Sequence, residues 1–201
     1  YVGDLLDYSL LRNGHLILKY TSFSLDFLLD QCIHMMQLKA KDKRITIRKE
    51  VDALTKGKIC NDQNRIQQVV INLLANSIKF TGKEGNITVA TRRINCRSTE
   101  IRVQDSGIGI REEDQAKLFT EHGRVIDEQT QALNPQGVGL GLWICKEFCQ
   151  RIGSGISFQS TYGKGSTFRF SIFDYSGEVT EPSRMSITEV TNNNLSARKM
   201  E

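Results

Sequence analysis

Apolar residues recur along this chain at two spacings, and the switches between them predict its elements. Val2, Leu5, Leu6 and Ser9 fall at helical spacing, so residues 1–11 read as the tail of a helix, ended by Asn13-Gly14. Looser alternation over residues 16–23 suggests a strand. Ser24 suits an N-cap with Asp26 in the first turn. Leu25, Leu28, Leu29, Cys32 and Met36 then form one apolar stripe that runs to about Lys41. Ile45 and Ile47 open a strand to Val51, and a short one follows near Lys58–Cys60. Asp62 can cap a helix over 63–80. Residues 86–94 and 100–105 read as strands joined through Asn95-Cys96-Arg97-Ser98. Residues 112–120 suit a helix, with Glu112, Glu113 and Asp114 in its first turn.

Residues 121–136 are polar and irregular, and a loop that long inside a compact domain is usually functional or mobile. A helix is expected from about Val138 to Ile152. Two last strands, 155–161 and 167–173, flank Gly163-Lys164-Gly165. Beyond Tyr175 the periodicity is lost, and residues 176–201 read as a linker or disordered tail. The elements alternate without the strict rhythm of a doubly wound sheet, which points to a mixed sheet with helices on one face.

Composition narrows the function more by exclusion. The 201 residues are 39% apolar and 25% charged, ordinary for a globular chain. A net charge of +4, from scattered basic residues, gives no footprint for nucleic acid. No apolar run approaches the roughly 20 residues of a membrane span, and no signal peptide opens the chain. It begins with Tyr1 rather than Met and is expected to be a piece of a longer protein, so the parent can still be membrane-anchored. The 5 cysteines include no C-x-x-C pair and read as free, mostly buried thiols in a reducing compartment. Cys145 and Cys149 share a helix face without further metal ligands nearby.

Three segments carry candidate chemistry. On helix 63–80, Ile66, Val70, Leu73 and Ser77 fall on one side, while Asn72, Asn76 and Lys79 form a separate stripe. That stripe is either a solvated face or a phosphate and metal site. An Asn amide oxygen suits Mg²⁺, and a Lys ammonium suits phosphate. Asp105-Ser106-Gly107-Ile108-Gly109 ends a strand. It is either a common turn or a carboxylate placed to accept from an exocyclic amine such as adenine N6, with glycines that let a flat base approach. Gly137-Val138-Gly139-Leu140-Gly141-Leu142 runs into a helix. It is either a tight packing site or a cradle of backbone N–H groups for phosphate. It matches neither the dinucleotide fingerprint nor a Walker A loop.

Taken together, in this order and around one long loop, the segments resemble the catalytic domain of histidine protein kinases. Those belong to a wider ATPase superfamily with type II topoisomerases, mismatch-repair ATPases and heat-shock chaperones. Asn72 to Thr81 is similar to the family's N box, Asp105 to Gly109 to its G1 box, and Gly137 to Leu142 to its G2 box. Asp62-Gln63-Asn64-Arg65 and Gly165-Ser166-Thr167-Phe168 also follow its habits, and the likeness covers roughly residues 1–173. The resemblance implies an α+β, two-layer α/β sandwich: a mixed sheet of about five strands with three helices packed on one face. It implies that Asn76 binds Mg²⁺ and that Asn72 and Lys79 lie near the phosphates of ATP. It further implies that Asp105 holds adenine, that Gly107 and Gly109 line its pocket, and that Gly137, Gly139, Leu140, Gly141 and Thr167 complete the ATP site. Residues 111–136 become an ATP lid.

Two departures stand out. The family's F box pairs two phenylalanines three apart, and here Phe119 is followed by His122. The phosphoacceptor is a histidine followed by an acidic residue, whereas His15, His34 and His122 precede Leu16, Met35 and Gly123. Residues 1–14 are read as the end of the dimerisation hairpin's second helix, 15–175 as the catalytic domain and 176–201 as a linker or tail. The implied function is transfer of the ATP γ-phosphoryl to a histidine outside this segment, in a phosphorelay. The implied partners are ATP, the protein's own helical phosphoacceptor domain and a response-regulator receiver, with no nucleic acid, and the domain's expected place is the cytoplasm. A degenerate, non-catalytic module for a nucleotide or partner is the alternative. A hydrolase of the superfamily is disfavoured because Asn72 stands where those enzymes carry a glutamate base.

Overall fold

The computed structural model describes residues 2–121, 123, 139–177 and 184–185. His122, Gly137, most of the expected lid and nearly all of the expected tail lie outside the described residues. In chain order the elements begin with α1 (Val2–Arg12), β1 (Leu18–Lys19), β2 (Thr21–Ser24), α2 (Leu25–Asp42) and β3 (Thr46–Val51). Next come β4 (Lys58–Asn61), α3 (Gln63–Phe80), β5 (Asn86–Asn95), β6 (Ser98–Asp105) and α4 (Glu112–Gln115). Last are α5 (Gly141–Ile152), β7 (Gly153–Thr161), β8 (Gly165–Phe173) and β9 (Arg184–Met185).

The main sheet has five strands in the order β3-β5-β6-β8-β7. Only β3 and β5 run parallel, and the other neighbours are antiparallel, so the sheet is mixed as expected. Its inner face is built by strand alternation. Val89, Val103 and Phe168 lie in register, as do Ile101 and Phe170, and all are at most 5% exposed. α3 covers this face with Ile66, Val69, Val70, Leu73 and Leu74, each fully buried. α2 adds Leu25, Leu28, Leu29 and Cys32, and α5 adds Ile144, Cys145, Phe148 and Cys149. Each such large side chain contributes about 1.5–3 kcal/mol when removed from water. This single core makes the two-layer sandwich and fixes the ends of α3 and α5 beside the sheet.

Several expected boundaries differ. The strand over 16–23 splits at Tyr20, because β1 pairs with β9 while β2 pairs with β4. β9 also places Arg184 and Met185 in a ladder, within a segment expected to be a linker or tail. The helix expected over 112–120 is only four residues long, and beyond it Lys117, Leu118 and Thr120 donate to carbonyls three residues back, a succession of tight turns. α5 starts at Gly141 rather than near Val138, since Gly139 has φ +77°, a left-handed conformation that no helix interior accepts.

α1 packs against the early turns of α3 and α5. The Asp7 carboxylate accepts from Arg65 Nη1 at 2.7 Å and from Gln68 Nε2 at 2.6 Å. Tyr8 meets Trp143 with ring centroids 5.3 Å apart, and the Arg65 guanidinium sits 4.7 Å over Phe148. Among the described residues, no helix is long and apolar enough to cross a membrane.

Candidate functional site

The site is organised by α3. Asp62 caps its start, accepting from Arg65 N at 3.0 Å, and the apolar stripe turns Asn72, Asn76 and Lys79 away from the core. Asn76 Nδ2 donates to Asn72 Oδ1 at 3.2 Å. This leaves Asn76 Oδ1 without a protein donor among the described residues, so its lone pairs remain for a ligand. Lys79 Nζ lies 5.0 Å from the centroid of the Phe80 ring.

The start of α5 meets this stripe directly. A Cβ on Gly141 would lie 2.7 Å from Asn72 Nδ2 and 3.0 Å from Asn72 Oδ1, so only glycine lets the helix end approach the amide so closely. α2 and α3 carry side-chain caps from Ser24 and Asp62, whereas α5 has none. Its first N–H groups have no intrahelical acceptor and stand at the positive end of the helix dipole, beside Asn72. Leu140 is 3% exposed and packs in the core, so it offers a ligand its backbone rather than its side chain.

The far end of α3 meets the loop after β6. Ile108 N donates to Phe80 O at 3.1 Å. A Cβ on Gly107 would lie 2.6 Å from that same carbonyl oxygen, so residue 107 has no room for a side chain. Gly109 has φ +67°, and a Cβ there would fall 2.1 Å from Thr161 O. Gly163 N donates to Ile108 O at 2.7 Å, tying the same loop to the β7–β8 turn.

Asp105 sits at the end of β6, 7% exposed and facing α3. Its Oδ1 accepts from Gly107 N at 2.9 Å and Ser166 N at 3.2 Å, and its Oδ2 accepts from Ser77 Oγ at 3.2 Å. Burial pushes its pKa up, against these three hydrogen bonds, which pull it down. Oδ2 has one donor among the described residues and keeps a lone pair for an incoming N–H.

Ser77 and Ser166 were given no role in the site by the sequence, and the structure places both on Asp105. A serine within an otherwise apolar helix stripe was the available signal for Ser77. Thr167 is the opposite case. It lies in register between Gln104 and Gln159, both exposed, on the sheet face away from the helices and from Asp105. Strand alternation thus removes Thr167 from the cluster and puts Ser166 there. Phe119, the retained F-box residue, packs edge-on to Phe158 at 5.7 Å and Phe168 at 6.5 Å. Arg12 of α1 reaches Glu121, two residues further on, at 3.1 Å.

One end of a helical layer thus offers an uncapped helix start, an amide oxygen with no donor among the described residues and a buried carboxylate behind two side-chain-free glycines. That defines a nucleotide-binding α/β sandwich. Residues 61–176 match the family described as histidine kinase-, DNA gyrase B- and HSP90-like ATPase, and the chain belongs to that family. It is 33% identical over 175 residues to the signal transduction histidine-protein kinase BarA of Escherichia coli, covering 85% of this chain and 19% of BarA. It is 33% identical over 168 residues to the circadian input-output histidine kinase CikA of Synechococcus elongatus, covering 83% of this chain and 22% of CikA. The chain therefore spans about a fifth of the length of these relatives. Among solved structures, full-length ShkA in complex with AMPPNP superposes with a TM-score of 0.74 at 26% identity, covering 86% of this chain and 35% of ShkA. Histidine kinase ThkA in complex with the response regulator TrrA gives 0.66 at 27% identity, covering 86% of this chain and 46% of that one. The chain is an ATP-binding domain of the histidine kinase type.

Proposed function

We propose that this domain binds Mg–ATP at the junction of α3, α5 and the loop after β6, and presents the γ-phosphoryl to a histidine carried elsewhere in the same protein. The observation that carries the reading is the pairing of Asn76 Oδ1, which lacks a donor among the described residues, with the uncapped start of α5 across Asn72. Asn76 Oδ1 is a hard oxygen of the kind Mg²⁺ takes, and Mg²⁺ binds through one or two protein oxygens plus phosphates and water. Bound there, Mg²⁺ would supply charge neutralisation for the phosphates. The N–H groups of α5 and the Lys79 ammonium face the same charge. Asp105 Oδ2 accepts the adenine amine, while Gly107 and Gly109 keep the base pocket free of side chains. Positioning and charge neutralisation are what a protein contributes to phosphoryl transfer.

In this reading α1 is the end of the dimerisation hairpin, and residues 176–201 are a linker or tail. The receiver of the phosphoryl group is a response-regulator domain, supported by the likeness to ThkA in its complex with TrrA. Calorimetry with Mg–ATP tests the site. The parent chain is expected to bind at micromolar to sub-millimolar affinity, and Asn76→Ala and Asp105→Ala to lose roughly tenfold or more. A folded parent chain that gave no heat at millimolar ATP would overturn the reading.

A further inference from the structure

The turn between α2 and β3 aims one lysine at the end of the nucleotide-binding helix. Lys43 is fixed at both backbone ends, its N–H donating to Ala40 O at 3.2 Å and its carbonyl accepting from Glu84 N at 3.0 Å. Arg44 follows at φ +54°, a left-handed turn that reverses the chain and returns Ile45 N to Ala40 O at 2.9 Å. From there the Lys43 ammonium reaches Ile78 O at 2.9 Å, Lys79 O at 2.7 Å and Thr81 O at 3.2 Å.

A lysine has three N–H donors, and all three here go to carbonyls at one helix end. Those carbonyls are otherwise short of partners, and a cation belongs at the negative end of a helix. The gripped carbonyls bracket Phe80. Its own carbonyl is the one that accepts from Ile108 N at 3.1 Å and that blocks any side chain on Gly107. Lys43 therefore holds both sides of the seam where α3 meets the base-pocket loop, without standing in the site itself. Lys79, on the phosphate side, has its backbone oxygen in the same grip.

We propose that Lys43 is a positioning residue for nucleotide binding, acting through the α3 end on Gly107, Ile108 and the adenine pocket. The proposal rests on the ATP reading of the site. Lys43→Met removes the grip, and Lys43→Arg restores a charged donor. Binding is measured by calorimetry for ATP and ADP, with and without Mg²⁺, at a temperature where every variant is folded. Amide exchange of Ile108 and Thr81 is measured by NMR in the absence of nucleotide.

For Lys43→Met, ATP and ADP are expected to weaken together by about tenfold, the loss of a charged hydrogen bond. The Mg²⁺ dependence should stay as in the parent chain, because Asn76 lies a turn earlier. Ile108 exchange should accelerate, and Lys43→Arg should recover most of both effects. A merely structural cap would lower the melting temperature and leave the affinity of the folded variant unchanged, and that outcome overturns the proposal. Unchanged Ile108 exchange overturns it too. Should Lys43→Met fail to fold, Lys43→Gln, which keeps two N–H donors, carries the same comparison. A parent chain that bound no nucleotide would sink the ATP reading and the binding half of this proposal. The exchange data, taken without nucleotide, show separately whether Lys43 holds the seam.

Discussion

Asp105 is a carboxylate with three protein donors and little water around it. Its pKa lies above the usual 3.8, burial outweighing the bonds from Gly107, Ser166 and Ser77. As pH rises past 3.8, the unfolded chain releases this proton before the folded one does. Over that window the unfolded state binds fewer protons, so this group's contribution to stability falls with rising pH until the folded carboxyl has titrated. Asp105→Asn has no such loss. Its Oδ1 can still accept from Gly107 and Ser166, and its Nδ2 can donate to the Ser77 hydroxyl. The melting temperature of the variant minus that of the parent is expected to grow from roughly pH 4 upward and then level off. The same variant should bind ATP about 10–100-fold more weakly, since its amide donor would face the adenine amine donor. A difference that stays flat across the pH series would remove Asp105 from the buried role given to it, and unchanged ATP affinity would remove it from the base pocket.

At the scale of elements, two glycines separate stability from binding. A Cβ on Gly107 collides with the Phe80 carbonyl, which is backbone and cannot turn aside. Gly107→Ala is therefore expected to cost about 1–3 kcal/mol in urea unfolding. A Cβ on Gly141 collides with the end of the Asn72 side chain, which can rotate away. Alanine in a helix gains back up to ~1 kcal/mol over glycine, so Gly141→Ala should leave stability nearly unchanged. It would, however, break the Asn72–Asn76 hydrogen bond and weaken Mg–ATP severalfold in calorimetry. A Gly141→Ala variant that bound as tightly as its parent would show that the Asn72 contact is only packing.

The same elements show what a sequence reveals. α3 was legible over residues 63–80 because a cap, an apolar stripe and a polar stripe are all local signals. So were the three boxes, each a compact run of residues. The sheet face that Thr167 takes was not legible, because it depends on the register of its strand with Asp105, a partner more than sixty residues away in the chain. Register also hid Ser166. Lys43 was invisible for a similar reason, since its three acceptors lie 35 to 38 residues further on. The split at Tyr20 came from β1 and β2 having different partners, which no pattern within residues 16–23 encodes.

At the scale of the whole molecule, the described residues place an amide, not a carboxylate, where the hydrolytic members of the family carry a base for water. Asn72, four residues before Asn76, bonds through its amide oxygen to Asn76 and has no carboxylate with which to take a proton. His15 and His34 are both exposed, yet neither is followed by an acidic residue. In the proposed reading the domain holds a phosphoryl donor, and its described residues include neither that base nor a histidine followed by an acidic residue. Incubated with radiolabelled Mg–ATP, the chain should release phosphate at a rate near background and should not label its own histidines. Supplied in trans with a helical domain bearing a histidine followed by an acidic residue, it should label that domain, and the label should fall with Asn76→Ala. Brisk hydrolysis by the chain alone would mean that another group activates water at the α3 site, and it would move the protein from phosphotransfer toward the hydrolytic members of its family. Steady labelling of His15 or His34 would mean instead that the acceptor need not be followed by an acidic side chain, and that the phosphoryl path closes within this chain.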